Sequence, residues 1–319
     1  MKKIGFLFVI FCILIFPSCN SSINNSGSPD MFDIIINYDY TAEELCIIGE
    51  DCTYTRGIAG MFCDKDALFL CVTSENKIHI CNYDGSVIHS IGELGIAPGE
   101  FNHPTALSVY ENNIYVLDSN NHRIQVFDES NSILRSIDLV DFGDSNRSYY
   151  NSIAIDGDGS VYVSSCSPRV DNSNVYYISE DHDFEPQIVL SSFYGSLYSQ
   201  YGVVYALSNM EAFRSDKEEG FESGQNYLYE LKEMAVANKI QFPYKYSPTC
   251  FLVKGDSVIC VSYTFTTLDR FSKNGEYLET IYDFDDNGRF ITYISEINDT
   301  YYVSYFKSGG IYKISKVGS

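Results

Sequence analysis

The chain has 319 residues, of which 43 are acidic and 21 are lysine or arginine, so its formal net charge is −22 at pH 7. Such a surface repels phosphate backbones and anionic lipid headgroups, which argues against nucleic-acid binding and against a basic membrane-binding patch. Hydrophobic residues make up 45% of the chain. A chain of this length and composition can bury a core without disulfide bonds.

The first 18 residues have the layout of a secretory signal. Lys2 and Lys3 precede an unbroken apolar run from Ile4 to Phe16, which is too short to span a bilayer as a permanent helix. Cys19 follows a small residue and resembles the lipid-attachment cysteine of bacterial lipoproteins, although Phe16 stands where leucine is usual. The resemblance predicts export, cleavage before Cys19 and lipidation of that cysteine. Cleavage without lipidation is the alternative.

Residues 20–30 have almost no apolar side chain to bury, which is typical of a flexible tether. We therefore divide the chain into a signal peptide at 1–18, a lipid-anchored tether at 19–30 and a folded domain at 31–319. An acidic run just after the cysteine, which acts as a surface-export signal in some bacterial lipoproteins, does not occur in this sequence. The resemblance therefore favours the periplasmic side of a membrane. Removal of the signal leaves a net charge of −24.

The chain contains ten cysteines, of which one lies in the signal and Cys19 is the proposed lipid site. Most of the others lie in apolar, strand-like runs, where a free thiol behaves as a small hydrophobic group. We predict buried free thiols. Disulfide bonds between Cys46 and Cys52 or between Cys250 and Cys260 are alternatives in an oxidising compartment. The Cys and His spacing of a zinc site does not occur.

An internal repeat is the strongest signal in the sequence. Residues 68–88 align without a gap on residues 114–134 at an offset of 46, and both read as strand, turn, strand, turn, strand. The same frame returns at 161–163, 258–260 and 301–303, and 203–242 fills the remaining place. The chain therefore holds six units of about 40 to 47 residues.

Each unit has short alternating runs of Tyr, Ile, Val and Phe between turns rich in Asp, Asn and Gly, which is typical of β-hairpins. Four-stranded units of this period close radially because one unit cannot bury both of its faces. We predict an all-β fold, a six-bladed β-propeller with four-stranded antiparallel blades. The last unit offers three strands, so the apolar stretch Phe32–Tyr38 is predicted to close the ring as its fourth. A single helical turn is the alternative at Leu231–Lys239.

Residues 99–104 (GEFNHP), the strand 114–118 (IYVLD) and residues 121–128 (NHRIQVFD) closely resemble an NHL repeat. The whole chain is similar to lipid-anchored six-bladed propeller proteins of gut-type anaerobic bacteria, most of which have no assigned activity. In NHL blades the Asp and Arg of this motif are usually framework residues. The resemblance therefore implies structural roles for Asp118 and Arg123 and turn positions for Asn121 and His122.

A propeller supports hydrolases, lyases and binding surfaces, so function has to be argued from a site. The sequence has no GxSxG motif, and repeat, strand or turn positions account for its five histidines, which argues against a Ser-His-acid triad. Propellers that resemble lactonases hold a metal with Glu, Asn and Asp, but Asp156, Asp158 and Asp256 fall in Gly-flanked hairpins. We predict no metal or other cofactor. His103 comes closest to the base of propeller lyases, although Pro104 and the GxF frame explain it as a residue that leads into the blade.

The repeat frame predicts a ligand site on the top face, which carries the loops between blades and the loops between second and third strands. Five of the eight arginines fall in such loops, namely Arg56, Arg147, Arg169, Arg214 and Arg289. Arg56 and Arg289 correspond to Asn102, which His103 follows, and we include both in the predicted site. A ring of guanidinium groups can hold a carboxylate or phosphate bidentately. The alternative is that these arginines pair with acidic neighbours, namely Asp144, Asp171, Asp216 and Asp286.

Several aromatic residues are predicted around the same opening, where they could stack on sugars or apolar groups: Tyr54, Phe101, Tyr149, Tyr150, Tyr201, Tyr246 and Phe290. Residues 209–225 are the longest departure from the repeat and are predicted to overhang the opening as a flap. The sequence favours a monomeric binding module for an anionic glycan, a peptide or a protein partner. A hydrolase or lyase with its active site at the top of the central channel is the alternative.

Overall fold

The computed structural model describes residues 36–45, 57–142, 148–168, 172–209, 226–242, 246, 248–262, 266–284, 291–305 and 310–318. These residues belong to a compact unit that runs from Ile34 to Ser319. They form six four-stranded sheets, each with its strands antiparallel to their neighbours. No helix among the described residues is long and apolar enough to cross a membrane.

The strands follow one another from the inside of each blade to its outside. Blade 1 has β2 to β5, at Ile58–Cys63, Leu68–Val72, Lys77–Cys81 and Val87–Ile91. Blade 2 has β6 to β9, at Pro104–Tyr110, Asn113–Asp118, Arg123–Phe127 and Ile133–Asp138. Blade 3 has β10 to β13, at Tyr149–Ile155, Val161–Cys166, Asn174–Ile178 and Gln187–Ser191.

The second half of the ring repeats this order. Blade 4 has β14 to β17, at Gly195–Gln200, Val203–Ser208, Asn226–Lys232 and Ala235–Phe242. Blade 5 has β18 to β21, at Pro248–Lys254, Ser257–Ser262, Thr267–Ser272 and Tyr277–Asp283. Blade 6 has β22 to β24, at Ile291–Ile297, Thr300–Tyr305 and Ile311–Lys316, with β1, at Tyr40–Leu45, as its outer strand. The first strands of neighbouring blades pack on each other around the whole ring, so the predicted six-bladed propeller is confirmed.

An N-terminal strand closes the ring as predicted, but the predicted segment Phe32–Tyr38 was wrong. The closing strand is β1, which pairs with β24 from Tyr40 opposite Lys316 to Leu45 opposite Ile311. An outer strand of a blade faces solvent along most of its length, and only Tyr40 and Leu45 of β1 are buried. A largely polar sequence therefore suffices there, and an apolar run was not the signal to follow.

The residues before β1 contact blade 5. Ile36 makes an isolated parallel bridge to Thr280 of β21, and the backbone N–H of Asn37 donates to the Thr280 carbonyl at 2.8 Å. The Asn37 side chain donates to a carboxylate oxygen of Glu279 at 2.7 Å. The N-terminal segment therefore binds the outer edge of blade 5 before it pairs with blade 6. Residues 32–35 lie outside the described residues.

The core lies between the blades because alternate side chains of each strand face opposite neighbours. On β8, Ile124 and Val126 pack toward blade 3 with Ile153 and Val163. Phe127 packs toward blade 1 in a cluster with Phe69 and other apolar residues. Equivalent clusters join blades 3 and 4, 5 and 6, and 6 and 1. This sharing explains why a unit that is too small to fold alone is stable within the ring.

Two smaller predictions concern blades 4 and 5. Leu231–Lys239 forms the hairpin between β16 and β17, with Glu233 in the left-handed region at φ 52°, so the helical alternative was wrong. Six described cysteines are buried and free, namely Cys63, Cys71, Cys81, Cys166, Cys250 and Cys260. Cys250 pairs with Val261 and not with Cys260, and burial raises the pKa of the Cys250 thiol to about 12. Cys46 and Cys52 lie outside the described residues.

Candidate functional site

The top face is defined by the antiparallel order of each blade. Loops between blades and loops between second and third strands lie at this edge, whereas the turns of the two other hairpins lie at the opposite, bottom face. Described segments of the top face include the connecting loops 92–103, 139–142 and 192–194 and the short 3₁₀ turns Thr73–Glu75 and Ser119–Asn121. The predicted ring of Arg56, Arg147, Arg169, Arg214 and Arg289 lies entirely outside the described residues, as do Tyr54, Phe290 and residues 210–225.

Asn102 and His103 are both described, in the loop that leads into blade 2. The Asn102 N–H donates to Asp118 Oδ1 at 2.7 Å, and the Asn120 side chain donates to Asn102 Oδ1 at 3.2 Å. The His103 N–H donates to Asn76 Oδ1 at 2.8 Å, and its φ of 59° puts it in the left-handed region. Both side chains are partly exposed. Their backbones are therefore fixed by blades 1 and 2, while their side chains lie at the surface of the top face.

The polar residues of the NHL-like motif hold this loop in place. Asp118 is fully buried, and its Oδ2 accepts from Arg123 Nε at 2.8 Å and from Asn121 Nδ2 at 2.8 Å. The terminal nitrogens of Arg123 donate to the backbone carbonyls of Ile96, Ala97 and Glu100 at 2.8 to 3.0 Å. All these strong donors are used within the blade. The framework role predicted for Asp118 and Arg123 is confirmed.

A belt of small polar side chains lines the top of the central channel. They stand at bulges near the start of the inner strands, where the extra residue turns its side chain toward the next blade. Thr105 Oγ1 donates to the Tyr150 carbonyl at 2.7 Å, and Asn151 Nδ2 donates to the Gly195 carbonyl at 2.9 Å. Thr292 Oγ1 donates to the Ile58 carbonyl at 3.1 Å. These neutral groups join blade 2 to 3, blade 3 to 4 and blade 6 to 1.

Two tyrosines occupy the interior of the channel below this belt. Tyr293 of blade 6 makes a hydrogen bond with Ser152 of blade 3, which lies on the opposite side of the ring, and burial raises the pKa of its phenol. Tyr198 of blade 4 packs on Phe251 with ring centroids 6.1 Å apart, and burial raises its pKa as well. Both phenols therefore lie in the interior of the ring, where their side chains remain partly exposed.

His79, His122 and His182 each contact a residue of the propeller framework. His79 is buried, with Nδ1 at 2.7 Å from Ser90 Oγ and Nε2 at 3.0 Å from Glu75 Oε2. His122 Nε2 lies 3.3 Å from Asp141, and His182 Nδ1 lies 2.8 Å from Ser179 Oγ. The sequence did not reveal Ser90 as the partner of His79, because strand register alone places Ser90 opposite it.

The Glu75, His79 and Ser90 chain contains the groups of a hydrolase triad, but its position identifies it as framework. His79 of β4 pairs with Leu70 of β3. It therefore holds the repeat position that Gln125 holds on β8. Gln125 holds the connecting loop of blade 2, since its amide donates to the Glu100 carbonyl at 2.7 Å and accepts from Gly99 N–H at 2.8 Å. The imidazole of His79 also uses its two nitrogens in the reverse sense to the serine-protease arrangement.

The predicted aromatic ring around the opening is largely core. Phe101, Tyr150 and Tyr246 are each 0% exposed, so they cannot stack on a ligand. Tyr149 is partly buried at the start of β10. Tyr201 is 93% exposed but lies in the turn between β14 and β15, on the bottom face, so its placement at the opening was wrong. The prediction missed this because Tyr201 belongs to a two-residue hairpin and not to a connecting loop.

The bottom face carries carboxylates that cap their own turns. Asp156 Oδ1 accepts from the N–H groups of Asp158 and Ser160 at 3.0 and 2.9 Å, and Asp128 Oδ1 accepts from Ser130 and Ser132 in the same way. The turn role predicted for Asp156 is confirmed. Within the described ranges, no three His, Cys, Asp or Glu side chains come together as a metal site would require.

Comparisons with known proteins agree with this architecture. Residues 101–127 match the NHL repeat. A segment of 79 residues is 35% identical to the protein brain tumor of Drosophila melanogaster; it makes up 24% of this chain and 8% of that protein. The chain is a six-bladed β-propeller that carries an NHL repeat in its second blade.

Solved structures with the same fold include a lyase and a protein described as calcium-binding. A catalytically inactive histidine-to-alanine variant of virginiamycin B lyase from Staphylococcus aureus, crystallised with quinupristin, superposes with a TM-score of 0.59 at 12% identity, over 87% of this chain and 100% of that one. Regucalcin from Agrobacterium tumefaciens, described as a calcium-binding protein, gives a TM-score of 0.60 at 11% identity, over 83% and 92% of the two chains. Likeness at this identity concerns the fold alone.

Proposed function

We propose that this chain is an exported, lipid-anchored binding module that recognises a ligand or protein partner with the top face of its propeller. The observation that supports a binding role is the state of the described top-face groups. Asp118 and Arg123 form an ion pair at 2.8 Å and hold the loop that leads into blade 2. The belt of Thr105, Asn151 and Thr292 is neutral and joins the blades. These groups present a rigid surface.

The proposed ligand is anionic, a glycan or a peptide carboxylate, held by Arg56, Arg147, Arg169, Arg214 and Arg289 together with Asn102 and His103. The support comes from chain order, because each of the five arginines falls between two described strands whose adjoining ends lie at the top face. Guanidinium groups in a partly desolvated opening bind carboxylates bidentately, at about 1.5 to 3 kcal/mol for each contact.

The test replaces Arg56 and Arg289 with Gln and titrates acidic oligosaccharides and C-terminal peptides by calorimetry. Loss of two bidentate contacts should weaken binding about a hundredfold or more. Arg135→Gln is the matched control, because Arg135 lies on the exposed outer strand β9 and is outside the predicted ring. If the wild-type protein and the double variant bind the same ligand equally well, the arginine ring is not the binding site.

The anchor is tested separately at Cys19. Cys19→Ala should move the protein from the membrane fraction to the soluble fraction while its thermal unfolding stays the same. Mass spectrometry of the wild-type N-terminus should show a diacylated Cys19. An unmodified N-terminus beyond residue 19 would show ordinary signal cleavage, and the binding proposal would then stand without the anchor.

The second candidate is a propeller lyase or hydrolase with its site at the top of the channel. The observation that favours it is the position of His103, a partly exposed residue in the top-face loop that leads into blade 2, on a fold shared with virginiamycin B lyase. Its test is turnover of quinupristin and of a panel of lactones, followed by mass spectrometry. Turnover that His103→Ala abolishes would replace the binding proposal by an enzymatic one.

A further inference from the structure

The bottom face carries an exposed aromatic side chain that the fold does not need. Tyr201 is 93% exposed and stands first in the two-residue turn between β14 and β15, with φ 50°. Bulky residues rarely adopt this left-handed conformation, and Glu111 and Asn298 hold the same turn position in blades 2 and 6. A residue that strains its own turn while its side chain lies in solvent does not stabilise the fold. Backbone strain of this kind is typical of functional sites.

Met234 extends this surface from the second bottom turn of blade 4. It is 49% exposed and belongs to the turn between β16 and β17. The two turns lie side by side, because β15 leaves the first turn, β16 enters the second, and these strands pair with Val204 opposite Leu231. Val203, two residues after Tyr201, is also exposed. Isolated exposed apolar residues are ordinary on protein surfaces, but neighbouring ones on one edge of a blade are typical of interaction sites.

Hydrogen bonds to blade 3 fix both turns. The Gly157 N–H donates to the Gly202 carbonyl at 3.1 Å, and the Tyr162 hydroxyl donates to the Glu233 carbonyl at 2.9 Å. A Cβ at position 202 would lie 2.9 Å from the Gly157 Cα, so the close contact of these two turns requires glycine. A surface that is held in this way before a partner arrives loses little conformational entropy on binding, which favours affinity.

Carboxylates surround the two turns. Burial raises the pKa of Asp156, and the carboxylates of Asp158 and Glu233 act in the same direction, so the three groups lie near each other. Asp158 and Glu233 are exposed, and neither forms an ion pair with another residue in the part of the chain that the structure describes. Lys232 is exposed at the end of β16, and one cation among three carboxylates leaves the local charge negative.

The bottom of blades 5 and 6 differs, because a lysine neutralises carboxylates there. Lys254 Nζ donates to carboxylate oxygens of both Glu296 and Asp299. We propose that Tyr201 and Met234 form a bottom-face docking surface for a polypeptide segment in which lysine or arginine alternates with apolar residues. This surface lies on the face opposite to the predicted ligand site and shares no loop with it. The inference therefore goes beyond the binding role proposed above.

The chemistry of the docking surface selects this partner. The alkyl stem of a lysine or arginine packs on Tyr201 and Met234, and its cationic group binds the face of an aromatic ring. The carboxylates of Asp158 and Glu233 complement the same cation. They repel an anionic bilayer, and a second copy of a chain whose net charge is −22 is disfavoured for the same reason.

The test selects random twelve-residue peptides displayed on phage against the wild-type protein, with Tyr201→Asn/Met234→Ser as the counter-selection target. The enriched peptides should carry Lys or Arg among apolar residues, and synthetic copies should bind this double variant at least about tenfold more weakly. Asp158→Asn/Glu233→Gln should also weaken binding, and it should reduce the salt dependence of binding because the cations of the peptide lose their partners.

Three controls accompany the test. Asp66→Asn/Glu276→Gln removes two exposed carboxylates from bottom turns of blades 1 and 5 and should change binding little. Arg56→Gln/Arg289→Gln alters the predicted ligand site and should leave peptide binding unchanged. Tyr201→Asn alone should raise the urea midpoint, because asparagine tolerates the left-handed conformation better than tyrosine. Loss of binding by a variant that is more stable cannot come from unfolding.

Five outcomes would overturn the proposal. Enriched peptides without a basic bias, or peptides that bind the Tyr201→Asn/Met234→Ser variant as tightly as wild type, would show that these residues do not form the docking surface. A lower urea midpoint for Tyr201→Asn would assign Tyr201 to the fold. Flotation with phosphatidylglycerol vesicles that depends on Tyr201 and Met234 would assign the surface to a membrane. A dimer in sedimentation that the double variant loses would assign it to self-association. None of these results depends on whether the arginine ring binds an anion.

Discussion

Blades 2 and 5 both fix the loop that precedes them with an aromatic residue from that loop. In blade 2, Phe101 packs on Phe127 with ring centroids 5.8 Å apart. In blade 5, Tyr246 packs on Phe271 at 4.8 Å. Phe127 and Phe271 hold the same place in their blades, opposite Ile114 and Val258 respectively. The aromatic contact that holds the preceding loop is therefore equivalent in blades 2 and 5.

The polar contacts of the two blades differ. In blade 2, the buried Asp118 pairs with Arg123. In blade 5, the two corresponding positions are Ser262 and Thr267, and the buried carboxylate is Asp269, at the place of Gln125. Asp269 accepts from Thr267, Thr280 and Tyr246 hydroxyls at 2.5, 2.6 and 2.8 Å. Burial raises the pKa of Asp269, and these three hydroxyl groups oppose that rise.

The difference teaches that both blades hold the loop that precedes them, although the buried carboxylate stands at a different repeat position in each blade and has different partners. One blade neutralises its buried carboxylate with a guanidinium that also holds the loop, and the other surrounds it with neutral donors. A charged residue in the motif is therefore explained by attachment of the loop and gives no information about a ligand. Four predictions test this comparison.

The largest effect is expected from Arg123→Ala in blade 2. The substitution leaves the Asp118 carboxylate buried without its cation and frees three loop carbonyls. Removal of one partner of a buried ion pair costs about 3 to 5 kcal/mol of the free energy of unfolding. Urea denaturation followed by circular dichroism measures the loss. Arg135→Ala, on an exposed strand, should leave the midpoint almost unchanged, and equal losses in both variants would refute a special role for Arg123.

A smaller loss is expected from Asp269→Leu in blade 5. The change removes the acceptor of three hydroxyl groups, and an unsatisfied buried donor costs about 1 to 3 kcal/mol. We expect a total of about 3 kcal/mol, because threonine hydroxyls can rotate toward other acceptors. The same urea titration measures it, with Asp158→Ala in an exposed turn as control. A loss greater than that of Arg123→Ala would reverse the proposed order of the two blades.

The buried carboxylate of blade 5 should also make the stability of the protein depend on pH. The raised pKa of Asp269 means that the folded state holds this proton more tightly than the unfolded state, in which the pKa is near 3.8. Its contribution to stability is therefore complete below about pH 3.8 and is lost as the pH rises through the folded-state value. Asp269→Asn should remove this decrease, so its stability relative to wild type should improve with pH.

Measurement of the urea midpoint of both proteins at intervals from pH 4 to 8 tests the sign. Subtraction of the two profiles removes the opposite contribution of groups such as Asp84 and Asp128, whose pKa values are lowered by serine hydroxyl groups and turn N–H groups. The raised pKa of Asp269 would be contradicted if the difference between the two urea midpoints stayed constant with pH. It would also be contradicted if the variant lost stability relative to wild type as the pH rose.

The same comparison shows how far the sequence could be interpreted. The six blades and the framework role of Asp118 and Arg123 could be predicted, because period, alternation and a complete motif are local signals. The network of Asp269 could not, because Tyr246 lies 23 residues away and is brought close by strand register and by a connecting loop. The closing strand β1 was misplaced for a related reason, since an outer strand needs no apolar pattern.

Sequence reasoning could say even less about the predicted ligand site. The position of an arginine in a loop indicates the face of the propeller on which it lies, but not where its guanidinium group is held. Asn102 and His103 were predicted as site residues from their place in the motif, and the structure places both of them in the top-face loop that leads into blade 2. The sequence did not show that Leu94 and Ile96 are 68% and 78% exposed, since an apolar residue in a loop gives no sign of whether it is buried.

The smallest effect is expected from Tyr246→Phe, which makes the aromatic residue of blade 5 the same as that of blade 2. The ring keeps its contact with Phe271, and only the hydroxyl donor to Asp269 is lost. Burial keeps the pKa of Tyr246 well above its usual value, so the phenol is a neutral donor throughout the accessible pH range. One such hydrogen bond contributes about 1 kcal/mol.

Phe101→Tyr is the reciprocal variant and sharpens the interpretation. Its hydroxyl would extend toward Gln125, whose amide already bonds with Glu100 and Gly99, so we expect no gain in stability. If Tyr246→Phe costs nothing, the hydroxyl is not needed to hold Asp269, and Thr267 and Thr280 suffice. If Phe101→Tyr instead stabilises the protein, the two attachments are interchangeable, and the different polar groups of blades 2 and 5 reflect history and not a structural requirement of each blade.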